Sequence, residues 1–225
     1  LELILEYPQG YLNNKLDVHY ESPLKKENVH QKNVRGDIVV EFGDTTINIE
    51  AYTNFNMDSL DKSLYYVMRI QASKLDIGDG YHKLGKTIQI NFVEKSRLNL
   101  GEELITNFYL TSEKNPDIKI LTDKFCVKIV QIDKARKLGY TNNELERWLK
   151  FIAAKSSNER ASIAKGDELL VKLNEWIHKY VADDKMQEEL NKWDLEIAEN
   201  KGYEQGVEQG IEQRNVEIAK NLLNI

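Results

Sequence analysis

At 225 residues, with 41% hydrophobic and 30% charged side chains, the chain is long enough for one full hydrophobic core plus appendages and needs no covalent staples. Its single cysteine, Cys126, excludes an internal disulfide, and the surrounding KFCVKIVQI predicts a buried, inert thiol on a strand. A net charge of -6, most of it carried after residue 140, argues against a broad basic surface, and no run of about 18 apolar residues is present, so a soluble, cytoplasmic protein is expected.

In chain order, LELILEY predicts the end of an amphipathic helix, stopped by Pro8 and Gly10, and LDVHY a short strand. Pro23 opens a polar loop in which Lys25, Lys26, Lys32 and Arg35 form a local basic cluster just ahead of Asp37. DIVVEF and TTINIEAY then flank Gly43 and Asp44, the signature of a hairpin. Period two puts Thr46, Asn48 and Glu50 on one face of the second strand and Ile47 and Ile49 on the other; Asp37, Val39 and Glu41 share a face of the first. Both strands can therefore aim Asp37 and Glu50 into one cleft.

A helix follows over 57–76, with Ser59 or Asp58 as cap, a stripe of Leu60, Leu64, Val67, Met68 and Leu75, and a stop at the glycines of 78–80. KTIQINFV, ELITNFYL and ILTDKFCVKIVQI read as three more strands, so the economical fold class is α/β, a mixed sheet flanked by helices. From Thr141 the period becomes helical. NNELERWLKFIAA, with Leu145, Trp148, Leu149 and Ile152 on one face, and GDELLVKLNEWIHKYVADD predict two helices, with a third from about Lys185. The chain thus divides into an α/β core, 1–140, and a helical extension, 141–225. Its tail repeat GYEQGVEQGIEQ stacks Tyr203, Val207 and Ile211 into a stripe, a candidate oligomerisation helix for a homodimer.

Chemistry points first to Asp37 and Glu50. Two carboxylates from neighbouring strands can hold Mg2+, or Mn2+, hard ions that prefer oxygen ligands and activate water. The competing reading is an exposed hairpin face paired with lysines. Lys62, early in the helix after Glu50, can point back to that cleft. His19, His30, His82 and His178 are scattered without zinc spacing, and neither a phosphate-binding glycine loop nor GxSxG occurs.

The run GDIVVEFGDTTINIEAY, the helix SLDKSLYYVMRIQASKL, GDGYHKLGKTIQINFV, LTDKFCVKIVQIDKA, the ERWLKFI helix and the GYEQGVEQGIEQ tail resemble, in order and spacing, the Rpn family of recombination-promoting nucleases and putative transposases in the PD-(D/E)XK superfamily. The resemblance implies a restriction-endonuclease-like core and metal-dependent DNA endonuclease chemistry. It makes Asp37 and Glu50 the metal-binding carboxylates, the Ala51 carbonyl a further ligand, and Glu6, or Glu2, an assisting carboxylate on the preceding helix. It also exposes a departure: two residues past the second carboxylate, where the family pattern has Lys or Gln, stands Tyr52, and where relatives carry Arg on the helix stands Lys62. Either Lys62 supplies the electrostatic role, with Tyr52 orienting water through its hydroxyl, or the chain is an impaired homologue serving as a DNA-binding or protein-interaction module. DNA is expected to approach through Lys25, Lys26, Lys32 and Arg35.

Overall fold

The strand pattern around Gly43 closes as expected. In the computed structural model, which describes residues 1–23, 35–118 and 124–181, β2 (Arg35–Phe42) and β3 (Thr45–Tyr52) pair antiparallel with Phe42 opposite Thr45. Only Gly43 and Asp44 are left for the turn, and Gly43 takes φ 55°, a conformation glycine adopts without steric cost. β1 (Asp17–Pro23) lies antiparallel along the outer edge of β2.

On its other side β3 pairs in parallel with β4 (Lys86–Val93), and a parallel pair needs a crossover. That crossover is α2 (Met57–Ala72), which follows the short α1 (Glu2–Leu5). β6 (Phe125–Gln131) continues parallel to β4, and β5 (Ile105–Phe108) closes the far edge antiparallel to β6. The sheet is six-stranded and mixed, in the order β1-β2-β3-β4-β6-β5. With helices flanking it, this is the α/β, restriction-endonuclease-like architecture anticipated above.

One face of the sheet is apolar. Val40, Ile47, Ile88, Ile90, Cys126 and Val130 pack there with Ile4 and Leu5 of α1, Ile132 and Ala135 of α3 (Ile132–Lys137), and Leu149 and Ala153 of α4 (Glu144–Ala153). Cys126 is buried, and burial pushes its thiol pKa up, as expected of an inert packing residue. Because α4 contributes to this core, the first compact unit runs through Lys155, beyond the expected boundary at 140.

Several local expectations need correction. α2 is capped by Asn56, whose side chain accepts from the Ser59 N–H while Ser59 reciprocates, and it ends at Ala72. Its buried face is Ser63, Tyr66, Val67 and Ile70, whereas Met68, off that helical face, is exposed. α3 starts directly off β6 without a side-chain cap, so nothing in the sequence announced it.

The second unit begins at Ser156 and contains α5 (Ser157–Ala164) and α6 (Glu168–Val181). α5 was not anticipated, although Ser156 accepts from the Glu159 N–H in the manner of an ordinary S-x-x-E start. Asp167 accepts from the N–H groups of Leu169 and Leu170 at the start of α6. The third helix and the Tyr203, Val207, Ile211 stripe lie outside the described residues.

Candidate metal and phosphodiester site

β-Strand register brings the two carboxylates together. Ile38 pairs with Ile49, which leaves Asp37 and Glu50 side by side on the opposite face, at the ends of β2 and β3. They are clasped reciprocally. The Asp37 N–H donates to Glu50 Oε1 at 3.2 Å, and the Ala51 N–H donates to Asp37 Oδ2 at 3.2 Å. Each strand's backbone thus fixes the other strand's carboxylate.

Their environments differ. Asp37 is exposed, whereas Glu50 is 1% exposed. A buried carboxylate needs a charge partner and donors for its lone pairs. Lys62, one turn into α2, provides the first, with its Nζ 2.8 Å from Glu50 Oε2. Asn48 Nδ2 reaches Glu50 Oε1 at 3.3 Å. Burial pushes the Glu50 pKa up against the opposing pull of Lys62, and the Lys62 pKa is raised because the Glu50 carboxylate outweighs its own desolvation.

Behind Glu50 runs a ladder of buried amides that sequence reasoning missed. Asn48 Nδ2 also donates to Gln89 Oε1 at 2.8 Å, Gln89 Nε2 donates to Asn91 Oδ1 at 2.8 Å, and Ser63 Oγ of α2 donates to the same Asn91 oxygen at 3.2 Å. Asn48, Gln89, Asn91 and Ser63 are all 0% exposed. Two atoms of the ladder, Asn48 Oδ1 and Asn91 Nδ2, have no partner among the described residues. Gly36 makes the ladder possible: a Cβ there would strike Asn48 Oδ1 and come within 2.8 Å of Val39 Cγ2. The available signal was the alternation Thr87, Gln89, Asn91 against Ile88, Ile90, Phe92 on a strand paired at both edges, where an amide face has to be satisfied from within.

Tyr52 follows Glu50 on the same face and does not present its hydroxyl to solvent, since that atom is enclosed. Burial pushes its pKa up to about 12. The expected water-orienting hydroxyl is therefore not in place. Its ring packs edge-on against Phe55, with centroids 5.2 Å apart, and Lys62 Nζ lies 5.4 Å from its centroid and 5.0 Å from that of Tyr66.

Glu6 is not brought to the pair. It caps α1 in a left-handed conformation (φ 60°), and α1 packs on the apolar face, across the sheet from Asp37 and Glu50. Glu2 instead braces the following turn, accepting from the N–H groups of Gly10 (2.9 Å) and Leu12 (2.7 Å). Lys25, Lys26, His30 and Lys32 lie outside the described residues; Arg35 starts β2 opposite Pro23, and its side chain is likewise outside them. His19 is less isolated than its sequence position suggested, with Nε2 3.4 Å from Asp17 on the exposed β1–β2 surface.

Oxygen donors of this kind suit a hard divalent ion. Asp37 offers an exposed carboxylate and Glu50 a preoriented one, so the residues present fit such an ion, provided that Lys62 shares or yields Glu50 Oε2. When the sequence was compared with known families, a family model described as PD-(D/E)XK nuclease family transposase matched residues 4–201. No curated protein and no solved structure matched the chain.

Proposed function

Since the chain belongs to the PD-(D/E)XK nuclease family of transposases, we propose that it is a divalent-metal-dependent endonuclease that hydrolyses phosphodiester bonds of DNA. The observation that carries this reading is the reciprocal clasp of Asp37 and Glu50, with Lys62 paired to the Glu50 carboxylate. Asp37 and Glu50 would hold Mg2+ or Mn2+, with the Ala51 carbonyl as a candidate third donor. Bound there, the ion would polarise a phosphoryl oxygen and lower the pKa of a coordinated water.

The protein's own groups then have separable tasks. Asp37, exposed, is the carboxylate that incoming substrate meets. Glu50, fixed by Asn48 and the Asp37 N–H, keeps the pair aligned without reorganisation. Lys62 stays protonated at neutral pH and offsets negative charge gathering on the non-bridging oxygens. Tyr52, with its pKa near 12, takes no proton. The basic cluster of Lys25, Lys26, Lys32 and Arg35 precedes β2 in sequence and is the proposed phosphate contact.

A second reading has one observation in its favour: Lys62 already neutralises Glu50, as in a structural ion pair. On that reading the chain is an impaired homologue that binds DNA or protein without cutting. Plasmid nicking with Mg2+, Mn2+, Ca2+ or chelator separates the two. Metal-dependent cleavage lost in Asp37→Ala and Glu50→Ala supports the nuclease; metal-insensitive DNA binding without cleavage supports the module.

A further inference from the structure

We propose that Tyr52 and Tyr66 are positioning residues, forming an aromatic clamp that holds the Lys62 ammonium against Glu50 and toward the scissile phosphate. The clamp deepens the nuclease reading and rests on it only for its catalytic consequence. Three independent placements converge on one nitrogen. Tyr66 lies four residues beyond Lys62 on α2 and so stands on the same side of the helix. Tyr52 lies two residues beyond Glu50 on β3 and so shares the carboxylate's face. Lys62 Nζ sits 5.0 and 5.4 Å from the two ring centroids, within the range of cation–π attraction, while Glu50 Oε2 accepts from it at 2.8 Å.

Lysine needs such a clamp more than arginine does, because its ammonium is a point charge at the end of four rotatable carbons. A single carboxylate fixes its distance but not its direction. The rings supply direction, and both are themselves held: Tyr52 by its edge contact with buried Phe55, and Tyr66 by burial in the face α2 turns to the sheet. The ammonium is placed over both ring faces, so the rings act on it through their faces. On this account the tyrosine at position 52 aims a lysine located on a different element.

The test uses the full chain and two readouts. Tyr52→Phe, a series with fluorinated phenylalanines at position 52, Tyr52→Leu and Tyr66→Leu are compared in single-turnover cleavage and in the NMR order of the Lys62 side chain with ε-13C-labelled lysine at one neutral pH, without metal. Tyr52→Phe is expected to retain both properties within about twofold, because the ring face remains. Each added fluorine weakens that face at constant shape, so the order of the Lys62 side chain and the cleavage rate should fall in step, with about a two- to fivefold rate loss per ring removed. A flat response across the fluorinated series overturns the clamp, and those folded variants decide the matter even if a leucine variant unfolds. Should the wild type fail to cut, or Lys62→Ala cut normally, the catalytic reading fails, while the order of the Lys62 side chain still shows whether the clamp exists.

Discussion

The two faces of the central strands are built from the same alternation and do opposite things. On one, Ile47, Ile88 and Ile90 meet the helices α1, α3 and α4 in an ordinary apolar core. On the other, Asn48, Glu50, Gln89 and Asn91, no more exposed, face α2 across hydrogen bonds. An apolar face tolerates repacking, because its interactions are non-directional. A buried amide face tolerates little, because each lost partner leaves a stranded donor or acceptor. That rigidity is what a preoriented carboxylate requires, and the amides supply it beside a second apolar cluster in which Val67 of α2 packs with Val93, Val127 and Ile129.

The largest test of the division falls on the polar side. Asp37→Ala and Glu50→Ala are each expected to lower metal-dependent cleavage by at least about 10³-fold, since the metal's charge stabilisation is worth several kcal/mol. Asp37→Ala should leave the thermal midpoint almost unchanged, because that side chain is exposed. On the apolar side, Ile47→Ala should cost about 2–5 kcal/mol in denaturant unfolding while cleavage per folded molecule stays near wild type. If Ile47→Ala instead abolished cleavage without unfolding the protein, the two faces would not be separable.

Gln89→Leu sharpens the comparison at a smaller scale. It keeps the volume but removes the partner that Asn48 Nδ2 and Asn91 Oδ1 share, leaving each with one hydrogen bond, to Glu50 and from Ser63, an expected loss of about 1–3 kcal/mol. Gly36→Ala acts on the same ladder from outside, by forcing Asn48 aside. Cleavage should fall in both, more for Gly36→Ala, because Asn48 also holds Glu50. A Gln89→Leu protein as stable as wild type would show that the ladder is replaceable packing.

How far these features were legible follows from what periodicity can say. The Gly43–Asp44 turn and the shared face of Asp37 and Glu50 were readable because turn chemistry and the two-residue period are local. Whether that face meets water or a helix is not local. Period two put Thr46 and Asn48 on one face with Glu50 without saying what covers it, and the parallel pairing of β3 with β4 beneath α2 makes them buried. Likewise Lys62 could be placed near Glu50 from its position early in the helix, but the rings of Tyr52 and Tyr66 around it depend on how α2 crosses the strand end. Glu6 was misplaced for the converse reason: proximity in sequence to a helix end does not say which face of the sheet the helix covers.

The smallest expected effect is the most diagnostic, because stability and metal binding should respond to pH in opposite directions. Burial raises the folded-state pKa of Glu50 above its ordinary value, so between the two values the folded protein binds more protons than the unfolded chain. Stability from this group is therefore fully present below the ordinary glutamate pKa and is lost as pH rises through the raised one. Metal affinity needs the carboxylate and rises over the same window. Lys62 does not confuse the reading, since its raised pKa keeps it charged throughout and its contribution fades only on the alkaline side. Paired measurements of unfolding free energy without metal and of Mn2+ affinity, from the ordinary glutamate pKa toward neutrality, should thus diverge, and Glu50→Gln should flatten the stability curve's Glu50-dependent part while weakening binding at every pH. Lys62→Ala should move the window further up, because the group that pulls the Glu50 pKa down is gone; a window that stays put would mean that the 2.8 Å pair contributes nothing to holding the carboxylate charged.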